Sequence, residues 1–230
     1  MGMAAPWGTA TRGMRMGLPP NPMTTDHLLT LTQWLSPSYP VGSFAWSHGL
    51  EQAIADAQVT DATSLQDWLA VVLTLGTGRT DAILLCAAYR GQDVAELASA
   101  LAPSRERRME TLQQGAAFAT ITRAVWGLTL TDAPYPVVVG QAAGLVGLPL
   151  EATVRVYLFS FVSNLVQAAQ RLMPLGQTKG QILLAALAPL CDSLGIQALG
   201  LGLDDIGSAA FAADIAAMRH EMQEPRLFRS

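Results

Sequence analysis

PLEATVRVYLFSFVSNLVQAAQRLMP, residues 149–174, decides the fold. Pro149 stands where a first-turn proline belongs, and Pro174 stops what it opens. No glycine or proline interrupts the stretch between them. A run of that length is too long for a single strand and predicts a helix from Pro149 to Met173. Its most apolar part, residues 156–170, is too short to span a bilayer and carries Ser160, Ser163, Asn164 and Gln167.

The same punctuation extends in both directions. Upstream, Ser104 can cap a long helix that reaches about Trp126, with Gly127 after it. Residues 134–146 follow as a helix closed by Gly147. Further upstream, Asp26 or Thr25 can cap a first helix bearing Leu28, Leu29, Leu31, Trp34 and Leu35, and Pro37 and Pro40 break it. A short helix is expected over residues 44–57. Asp61, Thr63 or Ser64 caps the next, residues 76–78 form a turn, residues 79–90 are helical, and Asp93 caps a short helix that Pro103 stops. Downstream, Thr178 caps a helix that Pro189 should kink. Asp204 or Ser208 caps the last, which ends near Gln223. Strand signals are weak: the β-branched run Val137 to Val139 is followed at once by glycine. The prediction is an all-α fold, a single-domain bundle of about ten helices over residues 23–223. Residues 1–22, rich in Met, Gly and Pro, read as a disordered leader, with Met23 a plausible start. Residues 224–230 form a C-terminal tail.

Composition narrows the function. Of 230 residues, 50% are apolar and only 14% charged, against about 25% charged in an ordinary soluble domain. So little charge cannot cover a solitary surface well, and part of it is expected to lie under another protein. The net charge is −4, and Lys179 is the sole lysine. The one basic run, residues 105–108, contains Glu106. Nucleic-acid binding needs a basic stripe and finds none. No segment reads as a convincing membrane span or signal peptide. Cys86 and Cys191 lie in apolar runs, as buried thiols of a reducing cytosol would.

Catalytic motifs are missing. Thr178, not glycine, precedes Lys179, so there is no phosphate-binding loop. Residues 45–49, AWSHG, imitate a nucleophile elbow but follow a proline-rich loop rather than a strand, which leaves Ser47 and His48 in the first turns of a helix. His48, Glu51 and His220 could converge on a metal only through the fold, for no spacing in the sequence joins them. No cofactor is called for, and the chain does not read as an enzyme.

Two segments are odd for a plain bundle. One is residues 37–51, where Phe44, Trp46, His48 and Glu51 crowd behind two prolines. The other is the end of the chain, with Arg226, Leu227, Phe228 and Arg229 in succession. Arginine and aromatics are anchor types at interfaces. The tail either folds onto a partner or docks on its own domain, and the helices are expected to bury their core without it.

These segments carry a resemblance. LSPSYPVGSFAWSHGLE (residues 35–51), ETLQQG (110–115), RLMPLGQ (171–177), DIAAMRHE (214–221) and RLFRS (226–230) are similar, in order, to the signatures of the UreF family of urease accessory proteins. The resemblance implies an all-helical, dimeric, non-catalytic cytoplasmic scaffold for urease maturation. It would bind UreD (UreH in some organisms) and recruit the GTPase UreG, so that nickel is inserted into the urease apoenzyme. The positions it implies for partner binding are Phe44, His48, Glu51, Arg171, Gln177, Arg219, His220, Glu221, Arg226, Leu227, Phe228 and Arg229. The family often has Tyr where this chain has Phe44. A stack of a C-terminal guanidinium on the Phe44 ring would have to replace a tyrosine hydrogen bond. The alternative is a helical small-molecule binder or enzyme with no recognisable motif.

Overall fold

The computed structural model describes residues 22–230, so the expected leader lies outside the described residues except for Pro22. About 69% of the described residues are helical, and none of them is in a strand. The helices are α1 (Thr25–Trp34), α2 (Leu50–Ala55), α3 (Ala62–Leu75), α4 (Thr77–Tyr89), α5 (Ala95–Ala100), α6 (Arg105–Trp126), α7 (Tyr135–Val146), α8 (Leu150–Leu172), α9 (Gln177–Ala198) and α10 (Phe211–His220).

Local chemistry sets most of the ends. Asp61 accepts from the Ser64 amide at the start of α3, and Ser104 accepts from the Arg107 amide at the start of α6. Gly127 and Gly147 close α6 and α7 in the left-handed conformation that glycine adopts without strain. Elsewhere the ends shift from expectation. Thr24, rather than Thr25 or Asp26, caps α1, because His27 returns the bond to its backbone. Thr77 and Gly78 belong to α4, so the expected turn shrinks to Gly76. Gly176 stands at the cap of α9 in place of Thr178, and α9 runs on through Pro189. The last helix starts at Phe211 and ends at His220, while Asp204 lies in a separate 3-10 turn, Leu203–Asp205.

Packing centres on α4, which lies against α7, α8, α3 and α9. The α4–α7 approach is close because α7 presents Gly140, where a Cβ would press on the Leu85 carbonyl. Gly115 on α6 does the same under the Ala133 carbonyl. An aromatic cluster of Trp34, Tyr39, Phe118, Trp126, Tyr135 and Tyr157 ties α1, α6, α7 and α8 together through ring contacts of 5.3–6.4 Å. Edge-on and tilted pairs of this kind add about 0.5–1.5 kcal/mol each beyond their burial.

By length and composition alone, Ala62–Tyr89 and α9 are apolar enough to cross a membrane. The first is mostly buried in the bundle. In α9 only 33% of the apolar window is covered, and Ile182 and Ile196 face outward.

Candidate functional site

The residues singled out at the two ends of the sequence meet on one side of the bundle. The expected helix over 44–57 does not form as one piece. A 3-10 turn, Ser43–Ala45, gives way to extended chain, and His48 and Gly49 are both left-handed (φ 60° and 76°) before α2 begins. Ser47 and His48 are therefore not in a helix. The cause is pairing with the distant tail: the Arg229 amide donates to the Ala45 carbonyl (2.9 Å) and the Ser47 amide to the Ser230 carbonyl (2.7 Å). Gly49 is required twice over. Its φ is unfavourable for side chains, and a Cβ there would sit 2.7 Å from the Ala217 amide nitrogen of α10.

The tail thus docks on its own chain as a strap over residues 225–230. Glu51, buried at the start of α2, accepts the amides of Leu227 (2.6 Å) and Phe228 (2.8 Å). The Phe228 ring is 3% exposed. The Arg171 guanidinium of α8 lies 4.4 Å over that ring and donates to the Phe44 carbonyl (2.7 Å). Arg229 stacks on Trp46 at 4.7 Å. The rings that carry guanidinium groups are therefore Phe228 and Trp46. The Phe44 ring is 75% exposed, and the stack anticipated on it does not form.

Beneath the strap lies a charged floor. The first turns of α6 turn Glu106, Arg107, Glu110 and Gln114 inward, all buried. Arg226 of the strap pairs with Glu106, Ser230 donates its hydroxyl to Glu110 (2.9 Å), and Arg107 pairs with Glu110. His220, with no exposed surface, sits between two carboxylates: Nδ1 is 2.7 Å from Glu106 and Nε2 is 3.2 Å from Glu51. Glu221 accepts the Glu106 amide (3.2 Å), and Arg219 pairs with Asp56 at the end of α2 (2.8 Å).

His48 is separate. Its ring meets the edge of Phe161 at 5.1 Å, and Nδ1 has no protein partner among the described residues. Burial, with the Arg107 charge adding to it, holds its imidazole well below the usual range, so it is neutral. The trio His48, Glu51 and His220 does not converge: Glu51 and His220 meet, and His48 points elsewhere. Gln177 is also apart, exposed at the start of α9 in an open cleft with Gln170, Arg171 and Gln181.

Behind the floor, Tyr157 donates to Asp81 (2.8 Å). Burial pushes the Asp81 carboxyl up to about 6, with the Tyr157 bond and the Arg107 charge pulling the other way. Burial also lowers the Arg107 guanidinium to about 10, while the charges of Asp81, Tyr157 and Asp214 hold it up. Three cavities, of about 10, 30 and 60 Å³, adjoin Arg107, room for a few waters and no more.

Sequence reasoning missed Trp46, Glu106, Arg107 and Ser230 as parts of this site. One signal was available: Glu106 and Glu110 are one helical turn apart, so both must face the same way.

The UreF family model matches residues 59–188. Three urease accessory proteins UreF illustrate the likeness. One from Cereibacter sphaeroides is 53% identical over 206 residues, covering 88% of this chain and 98% of the relative. One from Roseobacter denitrificans is 50% identical over 213 residues, covering 90% and 96%. One from Bradyrhizobium diazoefficiens is 45% identical over 221 residues, covering 88% and 91%. With about half its residues shared over most of its length, this chain belongs to the UreF family of urease accessory proteins.

Proposed function

We propose that this chain is a non-catalytic, cytoplasmic scaffold of urease maturation. It binds UreD (or UreH) and with it recruits the GTPase UreG, so that nickel reaches the urease apoenzyme. The observation that carries this reading is the strap. Its polar groups are spent on holding residues 225–230 in one shape against the 44–51 segment, while Phe44 and Leu227 flank it in the open. That is the construction of a presented surface, stiff before any partner arrives, and stiffness lowers the entropy lost on binding. The cavities beneath the strap are too small for a metabolite, and the larger clefts, of about 400 and 500 Å³, lie open to solvent, which supports a binding role over the alternative of a small-molecule enzyme. The uncovered apolar face of α9 supports a further protein contact, and we assign the chain to a homodimer on that ground.

The test is a pull-down of purified UreD and UreG with this chain, scored for a stoichiometric complex. Capture of both, lost when residues 225–230 are removed from a chain that keeps its helicity, supports the reading. A truncated chain of native helicity that still captures both removes the strap from it. Failure of the intact chain to capture either partner overturns it.

A further inference from the structure

The charges around the strap are sorted by depth. Of the 14 lysines and arginines in the chain, six stand around it, and all six are exposed. They are Arg105 and Arg108 in the first turns of α6, Arg171 at the end of α8, Arg219 at the end of α10, and Arg226 and Arg229 in the strap itself. The acids of the same segments are turned inward. Glu51, Glu106 and Glu110 are buried, Asp56 and Glu221 are half-buried, and Glu224 alone is exposed. On a chain of net charge −4 this is a basic face.

The fold does not use these arginines up. Arg226 pairs with Glu106 and Arg219 with Asp56, while Arg105 only approaches Glu221, at 3.9 Å. Arg108, Arg171 and Arg229 meet no carboxylate among the described residues. The α6 pair also stands at the wrong end of its helix. Arg105 and Arg108 are three residues apart and so are neighbours on the surface of the first turns. The positive end of the helix dipole lies there and disfavours cations, so α6 gains nothing from their charge. What a free guanidinium does fit is a carboxylate, which its planar fork can hold with two hydrogen bonds.

We propose that the protein partner docking on the strap presents an acidic face, and that Arg105 and Arg108 steer it in together with Arg226 and Arg229. This rests on the reading of the strap as a docking surface and gives the chemistry of what docks there. Opposite potentials act on the encounter: they raise the association rate and are screened by salt. Contacts made after docking, by groups such as Phe44 and Leu227, set how long the complex lasts.

The experiment follows association of purified UreD and UreG with the full chain at about 0.05 and 0.5 M NaCl, and titrates a fluorescent oligoglutamate peptide in parallel. Association should slow about tenfold at the higher salt, with dissociation changed less than about twofold. Arg105→Glu with Arg108→Glu should slow association at low salt by about as much and abolish peptide binding. It puts acids where the α6 dipole favours them, so native circular dichroism is expected. Arg105→Gln with Arg108→Gln, which removes charge without reversing it, should give a smaller loss. UreD and UreG that associate without regard to salt or to the reversal overturn the proposal and leave the scaffold reading standing. If neither protein binds but the peptide does, and the reversal releases it, the scaffold reading falls and the acidic partner is another protein. If nothing binds at low salt, both fall. A short single-stranded DNA that binds as tightly as the peptide overturns the assignment of the face to a protein.

Discussion

Replacing Glu51 by Gln changes one atom and tests the site at its centre. The carboxylate meets three partners: two strap amides that donate to it at 2.6 and 2.8 Å and the His220 ring at 3.2 Å. An amide side chain keeps one acceptor oxygen and puts an NH₂ where the other stood. One strap amide or the His220 nitrogen would then face a donor. A hydrogen bond to a charged group contributes about 1.5–3 kcal/mol net, and a buried donor left unpaired costs about 1–3 kcal/mol. Together the change is worth about 3–5 kcal/mol, the usual cost of breaking a buried charged pair. Against it stand the burial of Phe228, about 1.5–3 kcal/mol, and the Arg171 and Arg229 stacks, about 0.5–2 kcal/mol each. The two sides are of similar size, so the strap should become open in a substantial fraction of molecules while α1–α9 stay folded. The assay is limited trypsin cleavage at Arg226 and Arg229, read beside far-ultraviolet circular dichroism. Faster cleavage with native helicity is expected, together with weaker capture of UreD and UreG. Cleavage at the unmodified rate would refute the claim that Glu51 holds the strap.

Three further outcomes follow from the geometry. Gly115→Ala drives a Cβ into the Ala133 carbonyl and should cost about 3 kcal/mol, the upper end of ordinary overpacking, read as a lower urea midpoint. Asp81→Asn should stabilise the fold in neutral solution. The Asp81 carboxyl titrates at about 6 when folded and near 3.9 when unfolded, so its contribution is intact below the unfolded value and is lost as pH rises through 6. Removing the charge should gain about 1–3 kcal/mol at pH 7.5, and an equal gain at pH 4 would contradict this account. Finally, light scattering at micromolar concentration should show a dimer, which Ile182→Glu on the open face of α9 should weaken.

The helices were legible because prolines and glycines mark their ends and nothing competes with a long apolar run. Thr24 and Gly176 were misjudged by one or two positions, since several small polar residues in a row can each cap, and packing selects among them. The site was half legible. Arg226, Phe228 and Glu51 attracted notice as residue types, but the sequence cannot show that Phe228 meets Glu51 or that Arg226 meets Glu106, because more than 100 residues separate each pair. Glu106 and Arg107 were hidden for a different reason. Periodicity arguments send the charged face of a helix to solvent, and α6 turns its charged first turns inward, where the partners come from three other segments. The break at His48 and Gly49 was likewise invisible, for the tail that stabilises it lies at the far end of the chain.

The strap joins residues 45–51 to residues 226–230. A chain emerging from the ribosome can pack α1 to α9 long before this closure is possible, and domains do fold as they emerge. The strap is therefore the last part of the fold to form. A chain nicked or stopped short of residue 226 would retain most of its bundle and lack it. If partners read the strap, a copy that lacks it is left out of the assembly without any separate inspection.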